Sequence, residues 1–187
     1  MNPFQQFAKQ LPMVKSDWHT FFLMQCLTMT SRSDCTRRRF GALIVNSNQR
    51  ILSAGYNAPP VGVQSAAQAW ANDLPFQMEP QPAPPQACFK VRAGQGSLQN
   101  SGYDHCPALH AEQNAILDYG VRELTTHTTT LYIAGRDGQT GELIDSQPCI
   151  HCSRMIRQAL ISRVIYLDGS GVMRCKLPEE LPITPSF

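Results

Sequence analysis

Residues 40–56 read FGALIVNSNQRILSAGY. The apolar run over 40–45 has the length and branched content of a buried strand, 46–49 is a polar turn, and 50–56 returns as a second strand. A hairpin therefore stands near the front of the chain. Working back from it, residues 17–31 (DWHTFFLMQCLTMTS) place Phe21, Leu23, Met24, Leu27 and Met29 at roughly helical spacing behind Asp17, a good helix cap. Working forward, 109–119 (LHAEQNAILDY) reads as a helix closed by Gly120, and 129–134 (TTLYIA) as a strand. Residues 135–147 read as a polar loop with three glycines. Residues 148–160 form a helix opened by Pro148, where the missing N–H costs nothing. Residues 163–167 (RVIYL) are a further strand, and 172–177 are expected to add a short one. The order α-β-β-α-β-α-β, a hairpin followed by helix-linked strands, predicts an α/β fold with a mixed sheet and helices on its faces.

A chain of 187 residues suits one domain, expected to span 1–187. Between about 57 and 104 the pattern dissolves into a Pro-rich insertion holding Pro59, Pro60, Pro75, Pro80, Pro82, Pro84 and Pro85, with only 65–72 readable as a short helix. The 42% hydrophobic fraction supports a core, and the 16% charged fraction excludes a disordered polyelectrolyte. A net charge of +2 gives no ground for a nucleic-acid partner. No apolar run reaches the roughly 20 residues of a membrane span, and MNPFQQFAKQLP lacks an export-signal core, so the expected compartment is the cytoplasm. Seven cysteines, an odd number, then point to free thiols and metal ligation rather than to a disulfide framework.

Two segments carry chemistry, His110-Ala111-Glu112 and Pro148-Cys149-Ile150-His151-Cys152. Cys149 and Cys152 lie three apart at the first turn of a helix and so share one face. The positive helix end favours their thiolates. His110 opens another helix and offers an imidazole nitrogen. Three such ligands leave the fourth tetrahedral corner open, as in a catalytic zinc site. Glu112 follows His110 by two residues, roughly 200° around a helix, and is placed for proton transfer rather than ligation. Taken alone, Cys-x-x-Cys reads as a structural zinc half-site or a redox pair, and His-x-Glu says almost nothing. Pro before the pair, both segments opening helices, and a strand between them make the joint pattern specific. His151 lies inside the Cys pair and is expected on a surface or pocket wall.

This pattern resembles the zinc-dependent cytidine/deoxycytidylate deaminase superfamily, and most of all the deoxycytidylate deaminases. Ser31-Arg32-Ser33-Asp34-Cys35, the strand GALIVN, Ala54-Gly55-Tyr56-Asn57, HAEQNAI, the strand at 129–134, PCIHC and RVIYL all fit in order. The resemblance implies a three-layer α/β/α fold, with zinc on His110, Cys149 and Cys152 and with Glu112 as proton shuttle. Ala111 would meet the pyrimidine edge through its backbone. Asn57 would meet the sugar hydroxyl, or is simply a turn residue after a strand. Tyr132 would flank the site, or else turn into the core. A substrate phosphate asks for arginine, and Arg32, Arg37, Arg38 and Arg39 cluster after the first helix. Some relatives carry a second, structural zinc, for which Cys35, Cys88, His105 and Cys106 are the candidates here. The implied reaction is hydrolysis of dCMP to dUMP and ammonia by a homo-oligomer, a hexamer or dimer. The alternatives are deamination of another base (adenosine in tRNA, guanine, free cytosine) and a non-catalytic structural-zinc module. Ala58 stands where the family often has glycine, and residues 136–147 form a longer link than usual. The usual C-terminal strand–helix extension is not evident.

Overall fold

The computed structural model describes residues 14–73, 106–120 and 128–184, together with 6, 9, 10 and 88. Most of the Pro-rich insertion, and with it His105, lies outside the described residues.

The elements run α1 (Trp18–Met29), a 3-10 turn (Thr30–Arg32), β1 (Arg38–Asn46), β2 (Ile51–Tyr56), α2 (Ala66–Asp73), α3 (Ala111–Tyr119), β3 (Thr129–Asp137), β4 (Leu143–Ile144), α4 (Ile150–Gln158), β5 (Arg163–Leu167), β6 (Met173–Lys176) and a closing 3-10 turn (Pro178–Glu180). The main sheet has the order β2-β1-β3-β5-β6, with β4 paired to β3. Only β3 and β5 run parallel, as a strand–helix–strand crossover through α4 requires. The remaining pairings are antiparallel, so the sheet is mixed.

Two apolar clusters make the layers. On one face Phe22, Leu23 and Cys26 of α1 pack on Leu43, Val45, Tyr132, Ala134, Ile165 and Leu167. On the other, Ala111, Ala115 and Ile116 of α3 and Cys152 and Ile156 of α4 pack on Ala42, Ile44, Leu131, Ile133, Val164 and Tyr166. Neighbouring residues of a strand point to opposite faces, so the continuous apolar runs of β1, β3 and β5 supply both layers. The expected α/β/α arrangement is the observed one.

One expectation is corrected. Residues 135–147 are not a plain loop, because β3 runs on to Asp137 and turns back into β4, with Gly135 opposite Ile144 and Arg136 opposite Leu143. The Asp137 carboxylate holds the turn by accepting from the amides of Gln139 (2.8 Å) and Thr140 (2.9 Å). The short helix expected at 65–72 is α2, opened by Ser65, whose Oγ accepts from the Gln68 amide at 3.1 Å. The strand expected at 172–177 is β6.

Candidate active site

Helix α3 is seated on β2 by close backbone approach. A Cβ on Gly55 would lie 2.3 Å from the Ala111 carbonyl oxygen and 2.5 Å from the Ala115 nitrogen, so only glycine fits there. Asn114 donates from Nδ2 to the Tyr56 carbonyl at 2.8 Å, and the Ser53 hydroxyl donates to the Ala115 carbonyl at 2.8 Å. Just before the helix, Leu109 and Ala58 exchange two backbone hydrogen bonds, at 3.0 and 3.2 Å. His110 is thereby fixed at the N-cap of α3, and its amide donates to Gln113 Oε1 at 2.8 Å. Cys149 occupies the N-cap of α4 behind a buried Pro148, and its carbonyl accepts from the Ser153 amide (2.8 Å) and hydroxyl (2.9 Å).

The two helix starts bring His110, Cys149 and Cys152 together, with one donor atom from each within 4.8 Å of the others. His110 Nδ1 lies 3.5 Å from Cys149 Sγ and 3.4 Å from Cys152 Sγ. Metal bonds of about 2.0 Å to nitrogen and about 2.3 Å to sulfur, at tetrahedral angles, require about 3.5 Å between such atoms. The donor set and its spacing therefore fit zinc. The two thiols titrate as a pair. Hydrogen bonding from Cys152, with His110 alongside, holds Cys149 toward the thiolate, whereas the hydrogen bond to Cys149 together with burial keeps Cys152 protonated. Binding a divalent cation removes the second proton.

Glu112 is 5% exposed in the first turn of α3, and burial pushes its carboxyl above the usual carboxylate range, against the pull of His110. It is a titratable group beside the cluster but outside the triad of donors. Such a carboxyl keeps its proton to higher pH than an exposed one.

The other expected residues divide. Ala111 is buried at the first position of α3, where a helix N–H has no intrahelical acceptor. Asn57 is buried at the end of β2, and its side chain ties β1, accepting from the Phe40 amide (2.7 Å) and donating to the Arg38 carbonyl (2.9 Å). Arg32 is exposed in the 3-10 turn that continues α1, the layer on the far face of the sheet from α3 and α4. Tyr132 points into that far layer too, and its hydroxyl meets His19 Nδ1 at 2.8 Å, so the core alternative for it is correct. His151 is exposed on α4. Cys35, Cys88 and Cys106 line one cavity of about 30 Å³ together with Thr36, whose buried hydroxyl has no partner among the described residues, but among those residues only the His110 triad brings three donor atoms within 4.8 Å of one another.

One positioning feature escapes a reading by motif, and one of the four clustered arginines is singled out. Gln113 joins the two halves of the site, because its Nε2 also reaches Met155 Sδ on α4 at 3.5 Å. A glutamine three residues after a helix cap is a capping signal that would have pointed to it. Arg38 shares the face of Phe40, Ala42 and Ile44 by strand alternation, and so lies on the layer of α3 and α4. That parity is visible only once β1 is known to begin at Arg38.

Fold and site together bring His110, Cys149 and Cys152 into a cluster that fits zinc, with the buried carboxyl of Glu112 at its side. The family model for the cytidine and deoxycytidylate deaminase zinc-binding region matches residues 16–168. The deoxycytidylate deaminase of Mycobacterium phage D29 is 30% identical over 154 residues, covering 82% of this chain and 97% of that protein. That of Saccharomyces cerevisiae is 29% identical over 158 residues, 83% of this chain but 39% of that protein. The chain spans little more than a third of the yeast relatives it matches, 37% of the Schizosaccharomyces pombe deoxycytidylate deaminase being covered. A solved structure of the dCMP deaminase from cyanophage S-TIM5 aligns with a TM-score of 0.48 at 22% identity, covering 83% of this chain and 86% of that one. The chain belongs to the cytidine and deoxycytidylate deaminase zinc-binding family.

Proposed function

We propose that the protein hydrolyses dCMP to dUMP and ammonia. The observation that carries this is the arrangement of His110, Cys149 and Cys152 at zinc spacing with Glu112 buried alongside as a non-ligand. The relatives named deoxycytidylate deaminase support the choice of substrate. When bound, zinc supplies the Lewis acidity that makes water nucleophilic near neutral pH. Glu112 accepts one proton from the attacking water and passes it to the ring nitrogen, then carries the remaining proton from the new hydroxyl on the ring carbon to the amine, which leaves as ammonia while the carbonyl forms. Its burial raises the carboxyl above the usual carboxylate range, the direction a group needs if it is to return the proton it has taken. The Ala111 N–H orients the pyrimidine edge, and Asn57, whose amide keeps one N–H and one oxygen lone pair beyond its two bonds to the β1 backbone, meets the sugar hydroxyl with what is left. Among the clustered arginines, Arg38 is the one whose strand face matches the site, and we assign it to the phosphate in place of Arg32.

We further propose a second, structural zinc held by Cys35, Cys88, His105 and Cys106, the three cysteines lining one cavity. The enzyme would work in the cytoplasm as a homo-oligomer. Among the described residues no helix is long and apolar enough to cross a membrane, and all seven cysteines are free.

An ammonia-release screen over cytosine, cytidine, deoxycytidine and their phosphates, with adenine and guanine compounds included, tests the reaction. Turnover greatest with dCMP is expected. Turnover confined to a purine compound would replace the substrate, and none anywhere in a zinc-loaded preparation would leave a structural-zinc module. Metal analysis of the same preparation should give two zinc ions per chain, and a single ion would remove the second site.

A further inference from the structure

Residues 35–40 carry the chain from the 3-10 turn after α1 into β1, and their backbone is held at almost every step. The Cys35 carbonyl accepts from Arg39 Nε at 3.1 Å. The Thr36 carbonyl accepts from Gln139 Nε2 at 2.7 Å, and the Arg37 carbonyl from the Gly138 amide at 2.8 Å. The Arg38 carbonyl and the Phe40 amide are taken by the two ends of the Asn57 side chain. Two of these donors come from the tip of the β3–β4 hairpin, about a hundred residues further along the chain. The tip is seated tightly, since a Cβ on Gly138 would lie 2.8 Å from the Cys35 carbonyl oxygen. Arg38 is thus gripped through its backbone neighbours by the hairpin tip on one side and by Asn57 on the other. Its own strand partner, Asp137, spends one carboxylate oxygen on the Gln139 and Thr140 amides of the turn.

We propose that Gly138 and Gln139 are positioning residues for nucleotide recognition: the β3–β4 tip braces the 35–38 backbone so that Arg38 is presented to the phosphate of the substrate. The proposal rests on the dCMP reading above. It gives the long 136–147 link a task that a shorter link would leave undone. A backbone fixed from both sides holds a guanidinium where it meets a phosphoryl group with little ordering cost.

The test compares zinc-loaded wild type with Gln139→Ala, Gln139→Glu, Gly138→Val and Arg38→Ala. Gln139→Glu keeps the length of the side chain but cannot donate to the Thr36 carbonyl. Each of the three tip variants should raise KM for dCMP about tenfold, the size of one lost hydrogen bond, with kcat within about twofold and zinc content unchanged. Gln139→Lys, which restores a donor, should recover most of the loss. Gln139→Ala added to Arg38→Ala should cost less than it does alone, because both act through one contact. If Arg38→Ala raises KM and the tip variants match wild type, the bracing role is overturned while the dCMP reading stands. Equal falls in kcat and zinc content across the tip variants would mark a merely structural hairpin and also overturn it. Wild type that shows no preference for dCMP over deoxycytidine would overturn the phosphate reading itself, a result read from the wild-type arm alone.

Discussion

The proposed reaction divides the work between Glu112 and the three metal donors, and the division can be tested side chain by side chain. Glu112→Gln keeps the volume and removes the titrating proton. Ammonia release should fall at least about a thousandfold while bound zinc, measured by metal analysis, stays at the wild-type level. Loss of metal from this variant would make Glu112 a ligand and end its role as shuttle. Gly55→Ala should act differently. Its Cβ would press on the Ala111 carbonyl and the Ala115 amide, both backbone atoms that cannot swing aside. Helix α3 must then lift from β2, at a cost of about 1–3 kcal/mol seen as a lowered denaturation midpoint. His110 rides on that helix, so zinc affinity should fall with stability. At this scale the three donors that meet at zinc spacing are legible because their spacing is itself the chemistry. The direction of Tyr132 is not, because strand alternation allows either face until a partner layer is placed. Asn57 shows why residue type alone underdetermines a role: an amide at a strand end can tie backbone or touch substrate, and here its tie to β1 is what the geometry displays.

Among the elements, helices and long strands follow from apolar periodicity, whereas β4 has two residues and no period to detect. The signal for that hairpin was local: Asp137 followed by Gly138 and, one turn later, Gly141 at φ +77°. A polar loop and a polar hairpin share this composition, and only the pairing partner tells them apart. The β5–β6 connection shows the same dependence on one carboxylate. Asp168 accepts from the Ser170 hydroxyl (2.7 Å) and from the amides of Ser170 and Val172 (3.0 Å each), and pairs with Arg174 at 2.8 Å. These donors, the Ser170 hydroxyl foremost, hold its pKa well below the usual value. A depressed carboxylate stabilises the fold above its unfolded pKa of about 3.9 and loses that contribution as pH falls through the folded value. Amides of β6 should therefore exchange faster as pH drops below about 4, beyond the intrinsic trend. In Asp168→Asn the same amides should already exchange faster at pH 7 and show no further acid step. An acid step of unchanged size in that variant would place the titrating group elsewhere.

The whole molecule is a sheet with chemistry on one face and plain packing on the other. The sequence predicts this layering because the middles of β1, β3 and β5 are continuous apolar runs, and a strand buried on both sides needs helices on both. The site face depends on metal in a way the other does not. Zinc bound to the folded state alone adds stability by mass action, about 4 kcal/mol at a thousandfold excess over its dissociation constant, so chelation should lower the melting temperature. The far face carries a different pH signature. There Tyr132 is 4% exposed, hydrogen-bonded to His19 and packed against Phe22 with ring centroids 5.0 Å apart and the rings tilted at 45°. Burial pushes its phenol up to about 12. The unfolded chain ionises its tyrosines near pH 10, so between roughly pH 10 and 12 the unfolded state sheds a proton that the folded state keeps. The sign is set by that order: stability falls as pH rises through this window. Tyr132→Phe lacks the proton and should show a shallower loss of melting temperature from pH 9.5 to 11.5, although it starts lower at pH 7 for want of the His19 bond. Parallel alkaline curves for the two proteins would mean that the phenol ionises as freely in the folded chain as in the unfolded one. The packed layer beneath α1 would then be open to water at the position where Phe22 now covers it.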